Sequence, residues 1–174
     1  MERKLLIIDT NALFHRSRNA LSRGTGELTT SWGQPVTGTY GCLNALFSIL
    51  EKENYDCVLP VYDAGGNFRK KESEEYKANR GPTDDSFKSD FTLLRDDVLP
   101  ALGFNPIGVK GYEADDVIAS VAKSAVAFSR VDILTCDRDL LGCVSNRVNV
   151  ILFSSAKKVR RVDIDGVLDI FGVY

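Results

Sequence analysis

The stretch VKGYEADDVIASVAKSA, residues 109–125, joins a crowded acidic start to an apolar helical pattern. Three acids lie close together at its start: Glu113, Asp115 and Asp116. Four apolar residues follow at helical spacing: Ile118, Val121, Ala122 and Ala125. They mark the stripe that a helix would bury, and Asp115, three residues before Ile118, points along it. Helix N-termini favour carboxylates by roughly 0.3–1 kcal/mol each, but an acid directed at a buried surface needs a partner.

Around this stretch, strand-like and helix-like patterns alternate. Five apolar runs have the length and residue content of strands: KLLIID (4–9), DCVLPVYD (56–63), FNPIGV (104–109), VDILTCD (131–137) and VNVILF (148–153). The helical patterns between them are the segment after the first run, TYGCLNALFSILEKEN (39–54), DFTLLRDDVLPAL (90–102) and the stretch quoted above. This alternation predicts an α/β fold, with a mostly parallel sheet covered by helices on both faces. Two polar segments, 23–38 and 64–85, predict long loops.

The composition is that of one globular domain. A hydrophobic fraction of 44% over 174 residues is enough for a core and excludes a disordered tail. No apolar run reaches the roughly 20 residues that cross a bilayer, so no membrane association is expected. Four cysteines without a CxxC pair predict a cytoplasmic location and neither a disulfide framework nor a zinc site. The single histidine, His15, excludes a histidine-based metal site, and the net charge of −2 does not by itself indicate a nucleic-acid binder.

Acids stand at the carboxyl ends of the predicted strands. Three runs end in aspartate, at Asp9, Asp63 and Asp137, and Asp139 follows two residues later. Because such ends lie at one edge of a parallel sheet, we expect these acids to meet the three of residues 109–125. Each alone could be a turn or cap residue. Together they repel, by about 4 kcal/mol for a pair about 4 Å apart at an effective dielectric of about 20. A hard divalent cation, Mg²⁺ or Mn²⁺, is the expected counter-ion.

Acid-lined Mg²⁺ sites mostly serve phosphate chemistry. The Asp-x-Asp of haloacid-dehalogenase-like phosphatases is replaced by DTN (9–11), and the marks of a response-regulator receiver and a P-loop are absent, which leaves a nuclease. Five basic residues follow Asp63 in the sequence: Arg69, Lys70, Lys71, Lys77 and Arg80. Such a run is usually a solvated face, but its position beside an acidic edge predicts phosphate contact. The interleaved glutamates favour a helical element.

The order of the motifs resembles the 5′-to-3′ exonuclease and flap endonuclease family, which includes the N-terminal nuclease domain of bacterial DNA polymerase I and the bacteriophage 5′ nucleases. The shared motifs are LLIIDTN, GQPVTGTYGCLNAL, VYDAGGNFR, EYKANRG, GYEADDVIAS and TCDRDL. The resemblance implies a PIN-like three-layer α/β/α sandwich over residues 1–174, with a flexible arch at about 65–84. It also implies a nuclease that uses two Mg²⁺ or Mn²⁺ ions to cleave DNA at 5′ ends, flaps or nicks.

The resemblance also implies roles for single residues. Ligands of a first metal ion are implied at four acids: Asp9, Asp63, Glu113 and Asp115. A second-metal group, acting partly through water, is implied at three: Asp116, Asp137 and Asp139. Catalytic roles are implied for three positively charged residues: Arg16, near the scissile phosphate, and Lys77 and Arg80, where the arch begins. Five residues are expected to contact nucleic acid: Tyr40, Arg69, Lys70, Lys71 and Tyr76. For Tyr40 and Tyr76 the alternative is packing at a helix edge.

One departure from the family concerns the C-terminus. The family's nuclease core continues into a DNA-binding helix-hairpin-helix domain, whereas this sequence stops at DGVLDIFGVY (165–174). We therefore expect that domain to be absent or to be a separate subunit, one divalent ion to bind well and a second weakly, and cleavage by the chain alone to be feeble. Two alternatives to a DNA nuclease stay open: a PIN-type ribonuclease, and a non-catalytic nucleic-acid-binding module that keeps the acids for structure.

Overall fold

The computed structural model describes residues 2–65, 84–155 and 158–172. Five strands lie in these ranges: β1 Lys4–Asp9, β2 Cys57–Val61, β3 Arg130–Thr135, β4 Val148–Ser155 and β5 Lys158–Val162. The α-helices there are α1 Thr10–Thr25, α2 Thr37–Leu50, α3 Asp85–Thr92, α4 Leu99–Ala101, α5 Ala114–Ser124 and α6 Ile164–Phe171. A π-helical segment, Leu93–Val98, joins α3 to α4, and a 3₁₀ turn, Asp139–Cys143, follows β3. None of these helices is both long and apolar enough to span a membrane.

The strands form one sheet in the order β2-β1-β3-β4-β5. The first four strands are parallel, and β5 is antiparallel to β4. In this register Ile7 lies beside Leu59 of β2 and Ile133 of β3. Because β1, β2 and β3 run in the same direction, the acids that follow them emerge on one side of the sheet. We call this side the carboxyl edge and the opposite side the amino edge.

Four of the five predicted strands are confirmed, and the fifth is wrong. FNPIGV (104–109) does not form a strand but a single bridge, in which Ile107 pairs with Val61 and exchanges 2.9 Å hydrogen bonds with Pro60 and Tyr62. The preceding Pro106 has no N–H with which to extend the ladder. Strand β5 was not predicted because its sequence, KVRRV, is short and mostly charged, as exposed edge strands often are.

Helices cover both faces of the sheet, which confirms the three-layer α/β/α architecture. Alternate residues of β1 point to opposite faces, as the strand geometry requires. Leu5 and Ile7 belong to a core that includes Ile118 of α5, whereas Leu6 and Ile8 belong to the core formed with α1 and α2. The stripe predicted for residues 109–125 is therefore the buried face of α5, and the acids at the start of that helix lie over the carboxyl edge.

The amino edge contains an acid that is fully buried, Asp132 of β3. It accepts hydrogen bonds from the Tyr55 hydroxyl at 2.7 Å and the Asn149 amide at 3.0 Å. The guanidinium groups of Arg130 and Arg161 each approach its Oδ2 to 3.1 Å. Two arginines therefore compensate this charge.

A second acid of the amino edge, Glu53, is compensated in the same way. It forms ion pairs with three basic side chains: Lys4 at 2.9 Å, Arg161 at 2.5 Å, and Arg130. Burial alone would raise the pKa of Glu53, but the hydrogen bonds from these bases outweigh it and lower the pKa to about 2. The charged form of Glu53 is thus stabilised at this edge of the sheet.

Candidate functional site

Asp9, at the end of β1, is the most deeply buried acid of the carboxyl edge, with 3% of its surface exposed. Its Oδ1 accepts a 3.0 Å hydrogen bond from the N–H of Ala12, which caps α1. Its Oδ2 accepts a 2.7 Å hydrogen bond from the Thr135 hydroxyl of β3. Burial raises the pKa of Asp9, the two hydrogen bonds oppose that shift, and the charges of Asp63 and Asp137 add to it.

Asp63, two residues after β2, links the starts of two helices. Its N–H donates to the Asn11 side chain of α1 at 2.9 Å. Its Oδ1 accepts the N–H of Ala114, the first residue of α5, at 2.6 Å. The Gly65 carbonyl accepts the N–H of Gly111 at 3.1 Å, so the chain after β2 runs along the entrance to α5. These contacts place the Asp63 carboxylate between α1 and α5.

Helix α5 begins with a reciprocal capping box formed by Glu113 and Asp116. The Glu113 side chain accepts the Asp116 N–H, and Asp116 Oδ2 accepts the Glu113 N–H at 3.3 Å. Asp115 lies between these two residues in the sequence. Its side chain is half-buried and close to the other acids. Burial raises its pKa to about 6, and the charges of four acids add to the shift: Asp9, Asp137, Asp63 and Glu113. The predicted inward direction of Asp115 is confirmed.

Asp137 and Asp139 follow β3 in a hydrogen-bonded turn. The Thr135 hydroxyl, which donates to Asp9, accepts the N–H of Asp137 at 3.0 Å. Asp137 Oδ1 in turn accepts the N–H of Asp139 at 3.0 Å. The charge of Asp137 raises the pKa of both Asp9 and Asp115, so it belongs to the same cluster. Asp139 is exposed and begins the 3₁₀ turn.

The acids of the two edges differ in their counter-ions. Among the described residues, no basic side chain forms an ion pair with any of four acids at the carboxyl edge, Asp9, Asp63, Asp115 and Asp137. At the amino edge both Glu53 and Asp132 have arginine partners. These four acids therefore have no ion-pair partner within this part of the chain. Burial is the main cause of the raised pKa values of Asp9 and Asp115, and the charges of the neighbouring acids add to it.

The carboxylates are close but are not arranged as a ready coordination shell. Within the described ranges, no three His, Cys, Asp or Glu side chains converge in a geometry that could hold a metal ion. Their oxygens are instead occupied by protein donors, as at both oxygens of Asp9 and at one oxygen of Asp63. The donor chemistry fits a hard divalent ion, because every candidate ligand is a carboxylate oxygen. A cation would also relieve the repulsion that raises the pKa of Asp115.

Two of the predicted substrate contacts lie in the described part of the chain. Arg16, exposed on α1, donates from Nε to the Ser154 carbonyl of β4 at 3.2 Å, which places its guanidinium group near the carboxyl end of that strand. Tyr40 lies in the first turn of α2 with 52% of its surface exposed. Packing at the helix edge therefore buries only part of the Tyr40 side chain and leaves the rest exposed to solvent. That these two residues contact nucleic acid stays a prediction.

The other predicted contacts fall on residues outside the described ranges: Arg69, Lys70, Lys71, Tyr76, Lys77 and Arg80. The predicted arch segment lies there too, apart from its two ends, Gly65 and Asp84.

Sequence reasoning did not single out three polar residues of the site. Thr135 joins Asp9 to the backbone of Asp137 through hydrogen bonds, and the Asn11 side chain accepts the N–H of Asp63. The Thr10 hydroxyl is buried and has no hydrogen-bond partner among the described residues. All three lie within two positions of an aspartate at a strand end, in DTN (9–11) and TCD (135–137). A small polar residue in that position is the signal that could have found them.

Comparison with known proteins agrees with this geometry. The family described as "5′-3′ exonuclease, N-terminal resolvase-like domain" matches residues 4–172. The chain belongs to this family. Similar members include a thermostable DNA polymerase I of Thermus thermophilus, at 41% identity over 150 residues, and the DNA polymerase I of Pseudomonas aeruginosa, at 35% over 171 residues. These matches cover 85% and 97% of this chain but only 17% and 18% of the polymerases.

Solved structures show the fold that this 5′-3′ exonuclease family member shares. A bacteriophage T5 protein co-crystallised with metal ions superposes with a TM-score of 0.75 at 19% identity, over 98% of this chain and 62% of that one. The T5 flap endonuclease in a pseudo-enzyme–product complex with DNA and metal ions gives a TM-score of 0.66 at 18% identity, over 98% and 61%. The fold is therefore the PIN-like sandwich that the sequence resemblance implied.

Proposed function

We propose that this chain is a divalent-metal-dependent 5′ nuclease that hydrolyses phosphodiesters of DNA at 5′ ends, flaps or nicks. The observation that carries the proposal is the contrast between the two edges of the sheet. Acids at the amino edge are paired with arginines. Four acids at the carboxyl edge lie together without such partners among the described residues: Asp9, Asp63, Asp115 and Asp137. Burial and the charges of the neighbouring acids together raise the pKa of Asp115 to about 6, and such a perturbed acid in a cluster is typical of a functional site.

The residues that would hold the first metal ion are Asp9, Asp63, Glu113 and Asp115. The second would be held by Asp116, Asp137 and Asp139, partly through water. We favour Mg²⁺ or Mn²⁺ because the candidate ligands are all oxygens. When bound, two such ions supply an activated water and a positive charge for the leaving oxygen. The T5 proteins described as bound to metal ions, zinc among them, support a divalent ion in general.

The chain's own side chains would position both the ligands and the substrate. Thr135 orients Asp9 by a hydrogen bond, and Asn11 anchors the backbone at Asp63. Arg16 presents its guanidinium group near the same edge, where it would bind the phosphate beside the scissile bond. Tyr40 exposes a ring on which a terminal base would stack. Lys77 and Arg80 would add phosphate contacts from the neighbouring segment.

DNA is favoured over RNA as the substrate by the names of the relatives. They are DNA polymerases and a flap endonuclease in complex with DNA. The family resemblance also implies a helix-hairpin-helix DNA-binding module as a partner, on this polypeptide or another. A non-catalytic binding module would have no use for four clustered acids, Asp9, Asp63, Asp115 and Asp137, that lack ion-pair partners among the described residues.

The proposal is tested by incubating the chain with 5′-labelled DNA flaps and matched RNA flaps in Mg²⁺, Mn²⁺ or EDTA. We expect cleavage of DNA near the flap junction, only with a divalent ion, and faster when a helix-hairpin-helix module is added in trans. The control is the double variant Asp63→Asn, Asp115→Asn, which should bind DNA but leave it intact. No cleavage under any of these conditions would overturn the proposal, and preferential cleavage of RNA would point to the ribonuclease alternative.

A further inference from the structure

Arg18 makes an unusual set of contacts for a residue on the outer layer of the sandwich. It lies on α1, two residues after Arg16, and only 8% of its side chain is exposed. Its Nη2 donates to the Ser86 hydroxyl at 2.7 Å and to the Glu27 carboxylate. Its Nη1 lies 3.6 Å from Asp90 Oδ2. The guanidinium group also lies over the Phe87 ring, 5.5 Å from its centre. One side chain therefore joins α1, the start of the loop 26–36 and α3.

Asp90 extends this junction to a fourth element, α2. Its carboxylate is fully buried and accepts the N–H groups of Gly38 at 2.7 Å and Thr39 at 3.0 Å. The residue before α2 is Val36, which has no side-chain oxygen to cap the helix. Asp90, on another helix, supplies the missing cap. The charge of Arg18 beside Asp90 compensates the carboxylate in this buried position.

The loop 26–36, which begins beside Glu27, is a narrow hairpin-like turn. Thr29 pairs with Pro35, and the Leu28 N–H donates to the Thr37 hydroxyl at 2.7 Å. At its tip Trp32 has 80% of its surface exposed, although large aromatic side chains are usually well covered. Tyr40 is exposed one turn into α2. We call Trp32 and Tyr40 the aromatic rim. Arg18 contacts Glu27, in the loop that carries Trp32. It also pairs with Asp90, which caps the helix that carries Tyr40.

We propose that Arg18 is a positioning residue that fixes the aromatic rim relative to α1 and thereby sets the affinity of the site for a nucleic-acid substrate. This inference rests on the proposed nuclease function. Arg18 itself is buried under α3 and the loop 26–36, so it acts through other residues and not on the reacting atoms. The side chains that Arg18 contacts in the described part of the chain belong to the loop 26–36 and to α3 with the residue before it, and include neither Arg16 nor an acid of the carboxyl edge. Loss of Arg18 should therefore affect substrate binding and leave the chemical step intact.

The experiment uses the single tryptophan of the chain, Trp32, as a reporter. Time-resolved fluorescence anisotropy measures the local motion of its loop, and flap cleavage measures KM and kcat separately. The variants are Arg18→Gln, Arg18→Lys and Glu27→Gln. The last removes the charge that pairs the loop with Arg18 and leaves Arg18 and Asp90 paired. The matched control is Arg23→Gln, an exposed arginine in the last turn of the same helix.

We expect Arg18→Gln to lower the residual anisotropy of Trp32 and to raise KM about tenfold with kcat within about twofold of the parent. Glu27→Gln should reproduce the change in anisotropy. Arg18→Lys should restore the behaviour only in part, because a lysine cannot make the forked contact with Ser86, Glu27 and Asp90 at once. Arg23→Gln should leave all three quantities as in the parent.

Unchanged Trp32 anisotropy in both Arg18→Gln and Glu27→Gln would overturn the role of Arg18 in holding the loop. A fall in kcat at constant KM would show that Arg18 acts on the chemical step. If Arg18→Gln does not fold, Glu27→Gln decides, because the Glu27 side chain is half-exposed and its loss should be tolerated. A parent chain that neither binds nor cleaves DNA would overturn the nuclease proposal and the kinetic part of this one, while the anisotropy would still decide the structural part.

Discussion

The Thr135 hydroxyl donates a 2.7 Å hydrogen bond to Asp9 Oδ2, across the 126 residues of sequence that separate β3 from β1. The same hydroxyl accepts the N–H of Asp137 at 3.0 Å. One hydroxyl thus binds both the carboxylate of Asp9, at the end of β1, and the backbone of Asp137, two residues after β3. The hydrogen bond to Asp9 also favours the charged carboxylate, against the burial that raises its pKa.

Replacing this hydroxyl by a methyl group, in Thr135→Val, should therefore weaken metal binding. The new side chain has a similar shape but removes the hydrogen bonds of Asp9 Oδ2 and of the Asp137 N–H, at a cost of about 1–2 kcal/mol in the free energy of unfolding. We expect weaker Mn²⁺ binding by isothermal titration calorimetry. Thr135→Ser, which keeps the hydroxyl, is the control. Equal Mn²⁺ affinity in the valine variant and the parent would contradict the orienting role.

Divalent ions should stabilise the folded chain. An ion that binds only the folded state adds about 2.7 kcal/mol to the free energy of unfolding at a hundredfold excess over its Kd. We expect millimolar Mg²⁺ or Mn²⁺ to raise the Tm in differential scanning fluorimetry, and Asp63→Asn, Asp115→Asn to abolish the shift. If the ions leave the Tm of the parent unchanged, or shift the double variant as much, the acids of the carboxyl edge are not the binding site.

The acid cluster also predicts a pH dependence in the absence of metal. The folded-state pKa of Asp115, about 6, lies above its ordinary value, so the folded state binds this proton more tightly than the unfolded state. The free energy of unfolding should therefore fall as the pH rises from about 4 through about 6. Glu53 acts with the opposite sign: its pKa is lowered from 4.5 to about 2, so its stabilisation is complete only above its ordinary pKa and is lost as the pH falls. The decline caused by Asp115 is therefore measured above about pH 5, where the contribution of Glu53 no longer changes.

Urea denaturation in EDTA at several pH values would measure this effect. Asp115→Asn should flatten the decline and make the chain more stable than the parent at pH 7. Part of the decline should persist, because the pKa of Asp9 is raised as well. A decline of equal slope in parent and variant would show that Asp115 does not experience the charges assigned to it.

Gly38 lies where α2 crosses α1, and the contact leaves no room for a side chain. A Cβ at this position would lie 2.3 Å from ring atoms of Phe14. We expect Gly38→Ala to reduce the free energy of unfolding by about 1–3 kcal/mol, as overpacked core positions do. Gly142→Ala is the matched control, because a Cβ there meets nothing within 4 Å. Equal Tm values for the two variants would contradict this close approach.

Strand and helix alternation, together with the aspartates at the strand ends, was sufficient to predict the α/β class, the parallel sheet and the edge where the acids meet. These features follow from local periodicity and from the rule that parallel strands end on one side. The strand predicted for FNPIGV was wrong. Its apolar content is typical of a strand, but Pro106 cannot donate a hydrogen bond to a neighbouring strand. Strand β5 was not predicted, because its composition does not indicate a strand. It is extended because it pairs with β4.

Other features were decided only by the tertiary structure. Residues 113–116 supply a run of acids, but the fold uses Glu113 and Asp116 in a capping box and directs Asp115 into the cluster. Arg18 and Asp90 are ordinary charges in sequence and become a buried junction of three helices. Their roles depend on which donors and acceptors become buried together across long sequence separations, and local spacing holds no information about those contacts.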